Sequence, residues 1–167
     1  MPSVVTKDQV YDWLASVTDP EVPVLTILDL GIVRNVQVEY NNGEPSVTIY
    51  ITPTYSGCPA MDAIAMNIRM ALISRGIRHL NIQQQLSPAW TTDWITETGK
   101  QKLEAYGIAP PKRKAINPLG LFEEDEVCCP RCHSNSTELV SQFGPTSCKS
   151  LYKCLDCKEP FEHFKCH

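Results

Sequence analysis

The first regular pattern in the chain has the period of a helix. Apolar residues recur at intervals of three and four near the N-terminus, at Val10, Trp13, Leu14 and Val17. Thr6 and Gln9 precede them with the spacing of a reciprocal capping box. The pattern predicts a first helix that ends near Thr18, because Asp19-Pro20-Glu21-Val22-Pro23 contains two prolines that cannot continue it.

Two later stretches have the two-residue period of strands. Apolar side chains alternate with polar ones at Val36, Val38 and Tyr40, and again at Val47, Ile49 and Ile51. Asn41-Asn42-Gly43 lies between the stretches and supplies residues that tolerate a positive φ. We therefore expect an antiparallel hairpin of two half-buried strands.

A second helical pattern follows the loop that carries Cys58. Its apolar positions are Met61, Ile64, Ala65, Ile68 and Leu72. Pro59 suits the first helical position and Gly76 suits the stop. A strand through Leu80 and Ile82 then predicts a strand-helix-strand crossover.

A third helix is predicted behind Thr91 or Thr92. It carries Trp94, Ile95 and Leu103, and Gly107 should end it before two prolines. The sequence therefore predicts an α+β fold for residues 1–109, a small mixed sheet with helices. Residues 110–126 read as a linker, since they combine prolines with a basic and then an acidic run. Residues 127–167 form a small cysteine-rich module.

Composition narrows the class of protein. A chain of 167 residues can support one ordinary domain and a small appendage. Its net charge of −4 gives no general attraction to nucleic acid, so we expect protein partners. No stretch has the roughly 20 apolar residues of a membrane span, and the N-terminus does not have the pattern of an export signal. We expect a soluble, cytoplasmic protein with no membrane association.

Cysteine placement favours metal binding over disulfides. Seven of the eight cysteines fall between Cys128 and Cys166. Four of them form two Cys-x-x-Cys hooks, at Cys129, Cys132, Cys154 and Cys157. A hairpin between two such hooks is the layout of a zinc ribbon, in which metal binding supplies much of the folding free energy.

The spacing of the hooks leaves the metal open. Four thiolates can hold zinc, iron or an iron-sulfur cluster. Further candidate ligands exceed what one tetrahedral ion needs, namely Cys128, Cys148, Cys166 and His167. The alternative is that Cys128 and Cys148 are small core residues and that the histidines of the module lie on its surface.

Cys58 is the one cysteine outside the module. The pattern Gly57-Cys58-Pro59 predicts it at the N-cap of the second helix, where unpaired amides stabilise a thiolate. The alternative is a buried, inert thiol. Asp19, Glu21 and Asp29 are the acids expected near this strand end, although all three also suit a helix stop or turn capping. A nucleophilic enzyme is disfavoured, because His79 is the only histidine of the first domain.

Three motifs carry a family resemblance. Asp19-Pro20-Glu21-Val22-Pro23, Asp29-Leu30-Gly31-Ile32-Val33 and Thr54-Tyr55-Ser56-Gly57-Cys58-Pro59 resemble the signature of the MIP18 (DUF59) family, whose members assist iron-sulfur protein assembly. Together with Pro88-Ala89-Trp90-Thr91-Thr92-Asp93-Trp94 and the terminal ribbon, the chain resembles the accessory subunits of bacterial phenylacetyl-CoA epoxidases.

The resemblance implies a role and partners. It implies a non-enzymatic factor for assembly of iron-sulfur or iron centres in an epoxidase of aerobic phenylacetate degradation, with the oxygenase or reductase subunits as partners. The family's reactive cysteine corresponds to Cys58, a transient iron-sulfur or metal ligand, and its acidic motif to Asp19 and Glu21. The alternatives are a stable non-catalytic or electron-relay subunit. A homodimer is compatible with either role.

Overall fold

The computed structural model describes residues 4–112 and 126–165. The chain divides into two compact units, the first ending at Thr96 and the second beginning at Glu97. The expected α+β class is confirmed, with helices and a small sheet in each unit. Among the described residues, no helix is long and apolar enough to cross a membrane.

The first helix, α1, spans Lys7–Leu14 and has the predicted capping box. The Gln9 amide donates to Thr6 Oγ1 over 3.3 Å, and the Thr6 amide donates to Gln9 Oε1 over 3.0 Å. The helix ends before the predicted Thr18, because the Val17 carbonyl accepts a bond of 3.0 Å from the Ile27 amide and so joins the following loop instead.

The predicted hairpin is confirmed. Strands β1 (Val33–Asn41) and β2 (Glu44–Ile51) pair antiparallel, with Asn41 opposite Glu44. Their two-residue turn uses positive φ angles of 51° at Asn42 and 84° at Gly43, which match the twist of the strands.

The predicted crossover is also present. Helix α2 (Ala60–Ile73) leads from β2 to β3 (His79–Gln84), which pairs parallel with β2 and gives the sheet order β1-β2-β3. The buried side of α2 carries Met61, Ile64, Ile68 and Leu72. This three-stranded sheet and two helices form the core of the first unit.

The segment after β3 packs on the Asp29-Leu30-Gly31 motif. Trp90 Nε1 donates to the Leu30 carbonyl over 2.7 Å, and the Thr96 amide donates to the Asp29 carbonyl over 2.8 Å. The Arg34 guanidinium lies 3.5 Å from the centre of the Trp94 ring. The predicted third helix is therefore broken. A 3-10 turn at Thr92–Trp94 precedes helix α3, which begins at Glu97.

The second unit contains α3 (Glu97–Ala105) and a four-stranded sheet. Its strands are β4 (Ile108–Ala109), β5 (Thr137–Ser141), β6 (Lys149–Cys154) and β7 (Pro160–Phe164), in the order β4-β7-β6-β5. Strand β4 pairs parallel with β7, and residues 97–109 therefore belong to the same unit as the cysteine-rich module. The second unit thus begins at Glu97, whereas the sequence predicted that the first domain extends to residue 109. Most of the predicted linker, residues 113–125, lies outside the described residues.

Gly31 provides a test of the packing in the first unit. Its φ is +70°, and an added Cβ would lie 2.5 Å from the Trp94 carbonyl oxygen. We expect Gly31→Ala to lower the free energy of unfolding by roughly 3 kcal/mol, from backbone strain and overpacking together. Urea unfolding followed by tryptophan fluorescence reports this unit alone, because all three tryptophans lie in it.

Gly57→Ala is the matched control. Gly57 has nearly the same φ, +71°, but nothing lies within 4 Å of an added Cβ. Gly57→Ala should therefore lower the free energy of unfolding by the backbone strain alone, roughly 1 kcal/mol. Equal losses in the two variants would contradict the packing described for Gly31.

Candidate metal centre

The structure brings the four hook cysteines together. The Sγ atoms of Cys129, Cys132, Cys154 and Cys157 all lie within 4.8 Å of one another. The sulfurs of Cys132 and Cys154 are 3.5 Å apart, and those of Cys129 and Cys157 are 3.8 Å apart. The first hook precedes β5, and the second begins at the last residue of β6.

Both hooks have the same backbone hydrogen bond. The Cys129 amide donates to the Ser134 carbonyl over 2.9 Å, and the Cys154 amide donates to the Glu159 carbonyl over 3.0 Å. Each bond joins the first cysteine to the residue five positions later. The two hooks are therefore a local structural repeat, which explains why each can offer two sulfurs to one point.

The residues that shape the hooks were not identified from the sequence. His133 and Lys158, which each follow the second cysteine of a hook, adopt positive φ angles of 61° and 65°. The Ser134 hydroxyl donates to the Asp156 carboxylate and so joins one hook to the other. Only their position could have identified His133 and Lys158 in the sequence. The chain must reverse its direction directly after the second cysteine of a tight Cys-x-x-Cys turn, and a residue with positive φ allows this reversal.

The geometry of the four sulfurs fits one tetrahedral metal ion. Zinc-sulfur bonds of about 2.3 Å at tetrahedral angles place sulfurs about 3.8 Å apart. The Cys132 to Cys154 and Cys129 to Cys157 distances of 3.5 and 3.8 Å are close to this value. A disulfide needs about 2.05 Å, and the seven cysteines among the described residues are free thiols.

Proton affinities differ within the group. A backbone hydrogen bond from Cys157 lowers the pKa of the Cys154 thiol from 9.0 to about 7. A backbone hydrogen bond from Ser134 lowers the pKa of Cys132. The hydrogen bond with the Cys154 thiol and burial outweigh this effect and raise the pKa to about 12. The pKa of Cys157 is also raised, because burial and the Cys154 thiol outweigh the Glu159 backbone. The thiols of Cys132 and Cys157 thus retain protons that a bound cation would displace.

The candidate centre is continuous with the core of its unit. Cys129 and Cys154 are fully buried and pack in one apolar cluster with Ala109, Val127 and Phe161. Cys157 packs against that cluster from a half-buried position, whereas Cys132 is exposed. The sulfur site therefore closes a small core instead of lining an open cleft.

The additional candidate ligands are placed elsewhere or not described. Cys128 Sγ donates to the His133 carbonyl over 3.2 Å, and Cys148 Sγ lies 3.1 Å from Thr146 Oγ1 in a buried position. Neither sulfur belongs to the four-sulfur group. Cys166 and His167 lie outside the described residues.

Cys58 lies one residue earlier than expected. The N-cap of α2 is Pro59 and the helix begins at Ala60, so Cys58 precedes the cap. Its side chain is 9% exposed, and the Thr54 hydroxyl lies 4.0 Å from its sulfur. Apart from its two chain neighbours, Gly57 beside it has no heavy atom within 4 Å of the position a Cβ would take, which leaves space next to the backbone there.

The acidic motif has a clear structural role. Asp19 is buried, and its Oδ1 accepts from the amides of Glu21 over 2.7 Å and Val22 over 2.9 Å. Glu21 is half-buried in the same loop. Within residues 4–112 and 126–165, the four hook cysteines are the only group of three or more candidate ligands. Cys58, Asp19 and Glu21 therefore do not form a preassembled metal site.

Two family models match the chain, one in each unit. Residues 7–76 match a model described as iron-sulfur cluster assembly protein, and residues 115–165 match one described as PaaD zinc beta ribbon domain. The chain is 48% identical over 158 residues to a putative 1,2-phenylacetyl-CoA epoxidase subunit of Escherichia coli K12, covering 95% of the chain and 92% of that protein.

Other relatives match the first part of the chain. An Fe-S protein maturation auxiliary factor of Porphyromonas gingivalis is 33% identical over 99 residues, covering 59% of the chain and 90% of that protein. The crystal structure of a DUF59 domain from Bacillus anthracis matches with a TM-score of 0.53 at 25% identity, over 58% of the chain and 90% of the domain. A conserved hypothetical protein of Thermotoga maritima matches with a TM-score of 0.52 at 26% identity, over 62% of the chain and 98% of that protein.

Metal content tests the ligand set. We expect Cys129→Ser to lose most of the bound metal and to loosen the second unit, because one of four sulfurs and part of the core change. Elemental analysis of the purified full chain measures the metal per chain. The tryptophan-reported unfolding of the first unit should stay cooperative.

Cys128→Ser is the adjacent control. Its sulfur faces the His133 carbonyl instead of the other sulfurs, so its metal content should equal that of the unmodified chain. Unchanged metal in Cys129→Ser would exclude Cys129 as a ligand, and lost metal in Cys128→Ser would add Cys128 to the set.

Proposed function

The chain belongs to the PaaD family, and from that membership we propose that it is an accessory factor for iron-sulfur or iron centre assembly in a phenylacetyl-CoA epoxidase system. The observation that carries the proposal is the fusion, in one chain, of an iron-sulfur assembly domain with a closed tetrathiolate ribbon. The relatives are named for the phenylacetyl-CoA epoxidase in one case and for Fe-S protein maturation in the other.

The two kinds of cysteine have different tasks in this proposal. Four sulfurs within 4.8 Å fill the coordination of one ion and leave no open position, so the ribbon would retain its metal. Cys58 is alone in its unit, so it would form one metal-sulfur bond to the cargo. A single bond is readily replaced by the ligands of a client protein, and delivery of cargo iron or a cluster requires such release.

The resident metal of the ribbon is proposed to be a single ion, zinc or iron. The mutual closeness of all four sulfurs, within 4.8 Å of one another, supports this choice. A cluster of two or four irons holds its cysteine sulfurs further apart, because inorganic sulfide and several metal atoms lie between them. When bound, such an ion would join the two hooks and offset part of their negative charge.

The factor is proposed to turn over no substrate of its own. In the first unit, His79 on β3 contacts Glu44 with Nε2 and Oε2 3.0 Å apart. In the second unit, Ser150 Oγ lies 3.5 Å from His163 Nδ1, but both side chains are buried away from solvent. The sequence has no paired Glu-x-x-His helices for a diiron centre. The partners in this proposal are the oxygenase and reductase subunits of the epoxidase system, in the cytoplasm.

A Cys58→Ser variant tests the assembly role. The variant should keep the cooperative unfolding of the first unit, because serine and cysteine have nearly the same shape. In cells whose only copy is this variant, the purified oxygenase or reductase should contain less than half of the iron or acid-labile sulfide found with the unmodified chain. Cys148→Ser, also a buried thiol, serves as control and should leave both clients loaded. Fully loaded, active clients with Cys58→Ser would refute the proposal.

An electron-relay or stable subunit is the second candidate, because four thiolates also suit a one-electron iron site. Reconstitution distinguishes the two. An assembly factor becomes dispensable once the clients are loaded, so we expect epoxidation by preloaded oxygenase and reductase to proceed at the same rate with and without the chain. A rate that falls about tenfold or more on omission would favour the stable subunit.

A further inference from the structure

Helix α2 has a second apolar side that faces solvent. Met66, Met70 and Ile73 are exposed by 57%, 64% and 60%, and Ala63 between Asp62 and Ile64 is exposed as well. We call Ala63, Met66, Met70 and Ile73 the outer stripe. At 100° per residue the outer stripe lies opposite the buried side of the helix. A surface helix in a small unit normally has polar residues there.

The spacing of the outer stripe is that of a helix-pairing seam. Its intervals of three, four and three residues are those of the a and d positions of a heptad. Methionine is enriched at protein interfaces, where its flexible side chain fills gaps. The outer stripe therefore has both the geometry and the composition of a surface that packs against another helix.

We propose that the outer stripe pairs antiparallel with the outer stripe of a second copy of this chain. The spacing is symmetric about Ile68, so a two-fold axis there sets Ala63 opposite Ile73 and Met66 opposite Met70. A small side chain then faces a large one at each end, and two adaptable ones meet in the middle. Such self-complementarity is what a two-fold interface requires.

Charge favours the antiparallel direction. Asp62 lies in the first turn of α2, whereas Arg69 and Arg75 lie in its second half or just beyond its end. Antiparallel pairing brings the acidic end of each helix to the basic end of the other and also opposes the helix dipoles. Parallel pairing would bring like ends together. Arg69 lies on the rim of the outer stripe, where water screens its charge.

The size of the outer stripe sets the strength of the pair. Four side chains cover less than the roughly 800 Å² per partner of a standard stable interface. The dimer is therefore reversible and depends on concentration, in contrast to an obligate dimer. A helix of a client protein or another part of the chain could also cover the outer stripe. Neither of these occupants would require the outer stripe to be symmetric about Ile68, whereas a second copy does.

Sedimentation of the purified full chain over a wide concentration range tests the pairing. The unmodified chain should shift from monomer to dimer as concentration rises. Met66→Glu and Met70→Lys should each weaken association about tenfold or more, because each buries an unpaired charge in the seam. Leu86→Glu is the control. Leu86 is an equally apolar residue, 68% exposed and outside the stripe, so association should not change.

Mixing variants tests the direction. In the antiparallel pair residue 66 opposes residue 70, so Met66→Glu mixed with Met70→Lys should regain the dimer. Met66→Glu mixed with Met66→Lys should not. Tryptophan-reported unfolding checks that each variant keeps the fold. A chain that stays monomeric at every concentration, a dimer unaffected by both single variants, or a dimer regained only by the second mixture would overturn the proposal.

Discussion

Four sulfur atoms held within 4.8 Å of one another constrain the whole second unit. Their negative charges repel unless protons or a cation lie between them. Burial and the neighbouring Cys154 thiol raise the pKa values of Cys132 and Cys157. The apolar cluster around them is small, and two of its five buried members are themselves hook cysteines. A metal ion bound to these sulfurs would therefore form part of the core around which the strands close.

The hook cysteines and the hairpin could be predicted from sequence because their signals are local. Two Cys-x-x-Cys pairs specify short turns, and Asn42-Gly43 supplies the positive φ angles that a two-residue turn requires. Long-range pairing could not be predicted. Strand β4 has only two residues, too few for any period, yet its pairing with β7 moves residues 97–109 into the second unit. The break in the third helix likewise arises from a contact between Thr96 and Asp29, 67 positions apart.

The four hook cysteines and Cys58 differ in how readily they would release a bound metal. Each hook is held by the same backbone hydrogen bond, its first cysteine is buried in a core, and its two sulfurs face those of the other hook. Cys58 lies beside Gly57 and belongs to no group of three or more candidate ligands among the described residues. The motif alone could not show whether Asp19 binds a metal or caps a turn. In the structure its carboxylate accepts hydrogen bonds from two amides of its own loop. The acidic motif thus preserves the loop, and the exchangeable chemistry proposed here depends on Cys58.

The central claim is that the ribbon holds one metal ion in four thiolates. X-ray absorption at the metal edge, recorded on the full chain after anaerobic purification, tests it most directly. We expect four sulfur neighbours at about 2.3 Å and no second metal in the next shell. A metal-metal distance, or nitrogen and oxygen neighbours in place of sulfur, would contradict it.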